Sequence, residues 1–345
     1  MDAYVLHGIN HFGIESIKNP TPGFGEVVIQ VKAAGICGSD IPRIYKTGTY
    51  AYPLVPGHEF SGVIIEVGEG VDLSWMGKRV GVSPLIPCKK CILCQKKQYE
   101  LCQQYGYVGS RADGAFAQYV KVPEWNLMTL PQSVSFEQGA MLEPMAVAVH
   151  AMRRCTLKKD EKVAICGLGT IGLLLAMFLH EYGIENITVI GNKNIQKEKI
   201  LDLGLSEDCW RDARLGDMDE AHLSYEADVF FDCVGSNEVL LQAIHHTTAG
   251  GRIVVVGNPA SDMMVDRTTY WKILRKQLTV VGTWNSSYTR ELTDDWYYVM
   301  ERLALGIISP QKIISHRMNF ESLIQGVELM RDKTQEYIKV MGIFS

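Results

Sequence analysis

The sequence predicts a two-domain α/β protein, with a doubly wound parallel-sheet domain inserted into a β-rich one. Three observations point there. The 345 residues are too many for one ordinary domain and enough for two, each able to bury its own core. Residues 1–149 carry short β-branched runs punctuated by Gly and Pro (EVVIQVKAAG, FSGVIIEVG, KRVGV, FAQYVKV), which read as strands. Residues 150–285 instead alternate apolar strands (VAIC, ITVI, DVFFDCVG, RIVVVG, LTVVG) with helical stretches such as GLLLAMFLHEYG and IQKEKILDLG, as βαβ units do. The tail, 286–345, opens on a helical stretch and ends in the apolar run YIKVMGIF. That run is expected to return to the first domain as a strand, which makes the middle domain an insertion.

Composition narrows the function. With 47% hydrophobic residues, 21% charged and a net charge of -5, the chain lacks the basic footprint of a nucleic-acid or membrane-surface binder. No stretch approaches the roughly 18 uncharged apolar residues of a membrane span. No basic region precedes an apolar run at the amino terminus, so a cytoplasmic address and a small-molecule substrate are expected. No internal repeat or low-complexity tract interrupts the chain.

The nine cysteines fall into two populations. Cys88, Cys91, Cys94 and Cys102 lie within fifteen residues, in a polar, lysine-rich lobe spanning 84–105. That density suits a tetrahedral zinc site filled by protein, hence structural, whose ligation contributes folding energy. An iron–sulfur cluster or a zinc-ribbon nucleic-acid module uses similar spacing. The acidic balance argues against the ribbon.

Cys37 (in CGSD), His58 (in GHEF) and Glu143 (in LEP) are ligand-capable residues far apart in the sequence. Ser39 and Asp40 follow the cysteine, and Glu59 follows the histidine, so hydroxyl and carboxylate groups stand ready to orient ligands and move protons. Further on, Gly167-x-Gly169-x-x-Gly172 follows a strand and opens a helix. In that setting the first glycine permits a tight turn, the second lets backbone approach a pyrophosphate, and the third allows close helix–strand packing. Thr170 and Ile171 bring the helix N-terminus to the phosphates. At the end of the next strand, where NAD enzymes usually carry an acid, stand Gly191, Asn192 and Lys193. Without an acid to repel a 2′-phosphate, and with a lysine to attract one, the motif leans toward NADP(H) over NAD(H).

CGSD, GHEFSGVIIEVG, the cysteine lobe and the glycine fingerprint occur in the order found in the zinc-containing medium-chain dehydrogenase/reductase family, which the whole chain resembles. The resemblance implies a GroES-like catalytic domain (1–149 plus 286–345) with an inserted Rossmann domain (150–285). It also implies two zinc ions per chain and hydride transfer between an alcohol and a nicotinamide dinucleotide. Cys37 and His58 match the ligands of the catalytic zinc. Glu143 matches the third position, a cysteine in many alcohol dehydrogenases and often a glutamate in polyol dehydrogenases. Glu59 matches a carboxylate that binds the metal or stands just behind it, and Asp40 is the expected partner of His58. Ser39 is expected to take the hydroxyl proton. Where some relatives finish the relay with a histidine, this chain has Pro42, so the onward route differs. At an open zinc position an alcohol hydroxyl becomes acidic, by analogy with water falling to about 7.

Within the family, CGSDIPRIYKTGTYAYPLVPGHEFSG, VGSRADGAFAQYV and KILRKQLTVVGTWNSSYT resemble the polyol branch, galactitol-1-phosphate 5-dehydrogenases first and sorbitol dehydrogenases behind them. A phosphorylated polyol needs cations at the cleft, and Arg43, Lys46 and Arg111 are the candidates, with Ser110 as a hydroxyl partner. Trp284 and Asn285 are expected near the nicotinamide or a subunit contact. A free polyol or other secondary alcohol is the alternative substrate. A zinc-free quinone reductase would have no use for Cys37, His58 and Glu143 together. The family further implies a homodimer or homotetramer.

Overall fold

The computed structural model describes residues 1–218 and 225–344. It divides into two compact units, Met1–Pro144 with Ser287–Ser345, and Met145–Ser286. The helix Leu142–Arg153 carries the chain from the first unit into the second.

The first unit is built on a seven-stranded sheet. Its centre is Glu26–Ile36, which pairs antiparallel with Glu59–Val67, with Tyr119–Pro123 and with Lys339–Ile343. Three partners leave little of this strand exposed, and Val27, Ile29, Val31, Ala34 and Ile36 all enter the core with Phe60, Ile64 and Val80. The tail run therefore does return to the first unit, with Val340 opposite Ile36 and Met341 opposite Gly35. Val340 and Met341 are both fully buried, each contributing roughly 1.5–3 kcal/mol, so the closing strand is integral to the core.

The second unit is a six-stranded parallel sheet with crossover helices. Numbered along the chain, its strands lie in the order 3-2-1-4-5-6, the doubly wound arrangement whose ligand crevice opens at the carboxyl ends of strands one and four. Those strands are Lys162–Cys166 and Ala227–Asp232, in register as Cys166 opposite Asp232. The first crossover helix, Thr170–Tyr182, buries every residue from Gly172 to Leu179, which explains why LLLAMFL is apolar on all sides. Its end is marked by Gly183 in the left-handed conformation, φ 93°. The third strand, Trp210–Asp212, was not anticipated from sequence. Its three residues are too few to show a period, and it exists through its register with Val189–Gly191. Among the described residues no helix is long and apolar enough to cross a membrane.

Candidate active site and metal centres

Cys37 lies one residue past the end of Glu26–Ile36, and His58 one residue before Glu59–Val67. Because Gly35 pairs with Glu59, the antiparallel register brings these two side chains to one place, although the sequence separates them. One potential ligand atom each from Cys37, His58 and Glu59 lies within 4.8 Å of the others. A thiolate, an imidazole and a carboxylate in a largely buried setting suit Zn(II).

The surrounding groups hold this trio in place. Asp40 is fully buried, and its carboxylate accepts from the Cys37 N–H at 3.0 Å and from Arg43 at 2.5 Å. It stands 3.6 Å from His58 Nδ1. Burial opposes the Asp40 charge, yet His58 and Arg43 outweigh it and hold the carboxyl below its usual range. For His58, burial disfavours the cation, but Asp40 and Cys37 prevail and raise its pKa well above the ordinary value. Ser39 is exposed, and its hydroxyl donates to the Cys37 sulfur at 3.2 Å.

Glu143 is not one of the three whose ligand atoms lie within 4.8 Å of one another, but it is close enough for His58 and Glu59 to act on its charge. It is buried in the first turn of its helix, and its Oε1 accepts from the Tyr107 hydroxyl at 3.2 Å. Burial is the largest effect on this carboxyl; His58 opposes it and Glu59 adds to it, leaving the pKa at about 7. Tyr107 also packs its ring on His58, centroids 5.8 Å apart, and burial and the Glu143 charge push its own pKa well up. Neither Tyr107 nor Lys339 was anticipated. Lys339 forms a buried ion pair with Glu59 and donates to the carbonyl of Ile36 at 3.1 Å. A lone lysine in an apolar run was the only signal it left.

The four sulfurs of Cys88, Cys91, Cys94 and Cys102 also lie within 4.8 Å of one another. Backbone N–H groups point at them, from Cys88 to Cys102 Sγ at 3.3 Å and from Lys90 and Cys91 to Cys88 Sγ at 3.5 Å each. Such donors stabilise thiolates. Those reaching Cys91, from Gln103 and Cys94, lower its pKa to about 6, whereas burial lifts Cys94 to about 12. The lobe is tied down by Tyr99 edge-on to Trp125 at 5.3 Å and by an ion pair of Lys97 with Glu291.

In the second unit the three glycines meet three different constraints. Gly167 has φ 94°. A Cβ on Gly169 would meet nothing within 4 Å, leaving its backbone open to a ligand. A Cβ on Gly172 would lie 2.0 Å from the carbonyl oxygen of Gly167. Gly169 caps the helix without a side-chain bond, and Thr170 and Ile171 begin its first turn, as anion binding there requires. Gly191 ends its strand with Trp210 and the buried Gln196 so close that a Cβ would fall 2.6 Å from each. Gln196 Oε1 accepts from the N–H groups of Asn192 and Lys193 at 2.8 and 3.0 Å. Asn285 adopts φ 53° and Trp284 is 48% exposed.

Of the substrate candidates, Arg43 is engaged by Asp40 and Lys46 is exposed on the segment Arg43–Thr47. Ser110 is buried, its carbonyl accepting from the Thr49 hydroxyl at 2.8 Å. Arg111 lies over two tyrosine rings.

Residues 23–132 match the alcohol dehydrogenase GroES-like domain, and residues 170–304 match the zinc-binding dehydrogenase domain. The chain is 34% identical to galactitol 1-phosphate 5-dehydrogenase of Escherichia coli K12 over 308 residues, 88% of each chain. It is 32% identical to a sorbitol dehydrogenase of Arabidopsis thaliana over 327 residues, 91% of this chain and 87% of the relative. An alcohol dehydrogenase from E. coli CFT073, solved with NADH, superposes with a TM-score of 0.90 at 28% identity, covering 100% and 99% of the two chains.

Proposed function

Because the chain belongs to the polyol branch of the zinc-containing medium-chain dehydrogenases, we propose that its substrate is a polyol phosphate of the galactitol 1-phosphate kind, oxidised to a ketose phosphate. The enzyme is a zinc-dependent, NAD(P)-dependent alcohol or polyol dehydrogenase. The observation that carries the finer reading is the 34% identity with galactitol 1-phosphate 5-dehydrogenase, supported by Lys46 and Arg111, since Arg43 is engaged by Asp40. The 32% identity with a sorbitol dehydrogenase favours a free polyol as the second reading.

Cys37 and His58 would hold the catalytic zinc, with Glu59 and Glu143 as the carboxylates that would complete its ligand set. When bound, zinc supplies Lewis acidity that acidifies the substrate hydroxyl, and the nicotinamide accepts the hydride. Asp40 orients His58 from its buried position, and Ser39, exposed beside Cys37, takes the hydroxyl proton. Cys88, Cys91, Cys94 and Cys102 would hold a second, structural zinc. Gly167, Gly169, Thr170, Ile171 and Gly172 receive the dinucleotide, and the missing acid at Gly191 with Lys193 nearby favours NADP(H).

We further read the enzyme as a homodimer or homotetramer. Thr279–Gly282 is the last strand of its sheet, and Val280, Trp271 and Leu274 are 48%, 43% and 58% exposed. An unpaired apolar edge of this kind pairs with its own copy about a twofold axis. A Val280→Lys variant that sediments as wild type removes that interface.

Turnover of phosphorylated and free hexitols and pentitols with NAD and NADP, alongside metal analysis, tests the whole reading. About two zinc per chain and a preference for a phosphate ester are expected; equal turnover of free and phosphorylated forms rejects the phosphate.

A further inference from the structure

The turn after Tyr107 closes on a single carbonyl. The N–H groups of Ser110, Arg111 and Ala112 reach the oxygen of Tyr107 at 3.2, 2.8 and 3.1 Å, and Gly109 N–H donates to Ala112 at 2.8 Å. Gly109 needs its φ of 82°, and a Cβ there would sit 2.6 Å from the carbonyl oxygen of Gly57, the residue before His58. Two more bonds staple this turn to the segment leading to His58, from Thr49 Oγ1 to Ser110 and from Val55 N–H to Asp113, at 2.8 and 2.9 Å. Whatever the turn carries is thus held at a set distance from His58.

It carries Arg111. The guanidinium carbon lies 3.8 Å from the ring centroid of Tyr50 and 4.6 Å from that of Tyr105. Tyr105 meets Tyr107 edge-on at 6.3 Å, and Tyr107 faces His58. Among the described residues no carboxylate pairs with Arg111, whereas the guanidinium of Arg43 is taken by Asp40. Rings against the guanidinium restrict its rotamers while leaving the in-plane N–H donors at its rim for an oxyanion. Less entropy is then lost when the oxyanion binds.

We propose that Arg111, clamped by Tyr50 and Tyr105, is the subsite for the phosphate of a polyol phosphate whose reacting carbon lies at the Cys37–His58 centre. Arg43 serves Asp40 instead. This rests on the phosphorylated-polyol reading, and deepens it by separating the binding cation from the structural one.

Kinetics of the zinc-loaded enzyme with a hexitol 1-phosphate and the matching free hexitol test it, using wild type, Arg111→Ala, Arg111→Lys and Tyr50→Ala, with inorganic phosphate as a competing ligand. Arg111→Ala is expected to cut the preference for the ester about 30-fold, through KM rather than kcat, and to abolish inhibition by inorganic phosphate. Lysine restores part of the loss, and Tyr50→Ala costs about fivefold by loosening the clamp. An ester KM unchanged in Arg111→Ala overturns the subsite while leaving the substrate reading intact. Should that variant fail to fold, an unchanged ester KM in Tyr50→Ala, a change at an exposed ring, overturns it equally. A wild type that turns over both compounds alike rejects the substrate reading itself, and the subsite with it.

Discussion

Lys339 and Glu59, 280 residues apart in the chain, form an ion pair whose side chains are only 1% and 2% exposed. The lysine belongs to the strand that closes the sheet, and the glutamate stands with Cys37 and His58. Removing one member leaves a buried charge uncompensated. Lys339→Met is expected to lower unfolding stability by about 3–5 kcal/mol and to weaken zinc retention, read by denaturant titration and by metal content after dialysis against a chelator. Wild-type stability in this variant would mean that the pair contributes nothing.

Glu143 makes the metal-free protein pH-sensitive. Its carboxyl, at about 7 in the fold against about 4.3 when unfolded, binds more protons folded than unfolded. Its contribution to stability is therefore full below about pH 4.3 and is lost as the pH rises through about 7. His58, also raised, acts with the same sign. Chelated protein should lose stability from about pH 5 to about pH 8, and Glu143→Gln should flatten much of that slope. An identical slope in the variant refutes the assignment.

Tyr107→Phe removes only the hydroxyl that Glu143 accepts. A hydrogen bond to an ionised group contributes about 1.5–3 kcal/mol, so the variant is expected to lose stability of that order above pH 7. In a Glu143→Gln background the same change should cost much less; equal losses in both backgrounds would break the link.

Position 191 resists the obvious switch. Gly191→Asp would install the acid that NAD enzymes use, but any Cβ there runs into Trp210 and Gln196 at 2.6 Å. The single variant should lose stability without gaining NAD preference, checked by thermal melting and by dinucleotide affinities. Tight NAD binding by a stable Gly191→Asp protein would contradict this.

Cys94→Ser should leave one zinc per chain and loosen the lobe. Trp125, packed on Tyr99 and under Lys89 at 4.9 Å, should report the change in its fluorescence. Two zinc ions retained would show that Cys94 is not a ligand.

Features that depend on neighbouring residues were open to sequence reading. The cysteine lobe is legible because its four cysteines lie in one short stretch, and Gly167, Gly169 and Gly172 because each answers a local demand of the strand–turn–helix. The strand Trp210–Asp212 was not, since three residues carry no period. Tyr107 and Lys339 were missed because their roles consist of partners distant in the sequence, Glu143 and His58 for the one and Glu59 and Ile36 for the other, met only after folding.

By itself, the sequence determined the two sheets, the insertion of one domain in the other, the thiolate lobe and the dinucleotide turn, because periodicity and short-range spacing act through contacts between near neighbours. Only the tertiary structure set Glu59 beside Cys37 and His58, left Arg111 without a carboxylate partner among the described residues, and packed Trp210 and Gln196 against position 191. Those outcomes follow from strand register and from packing between distant segments, as when Gly35 opposite Glu59 sets a cysteine beside a histidine and Tyr107 meets Glu143.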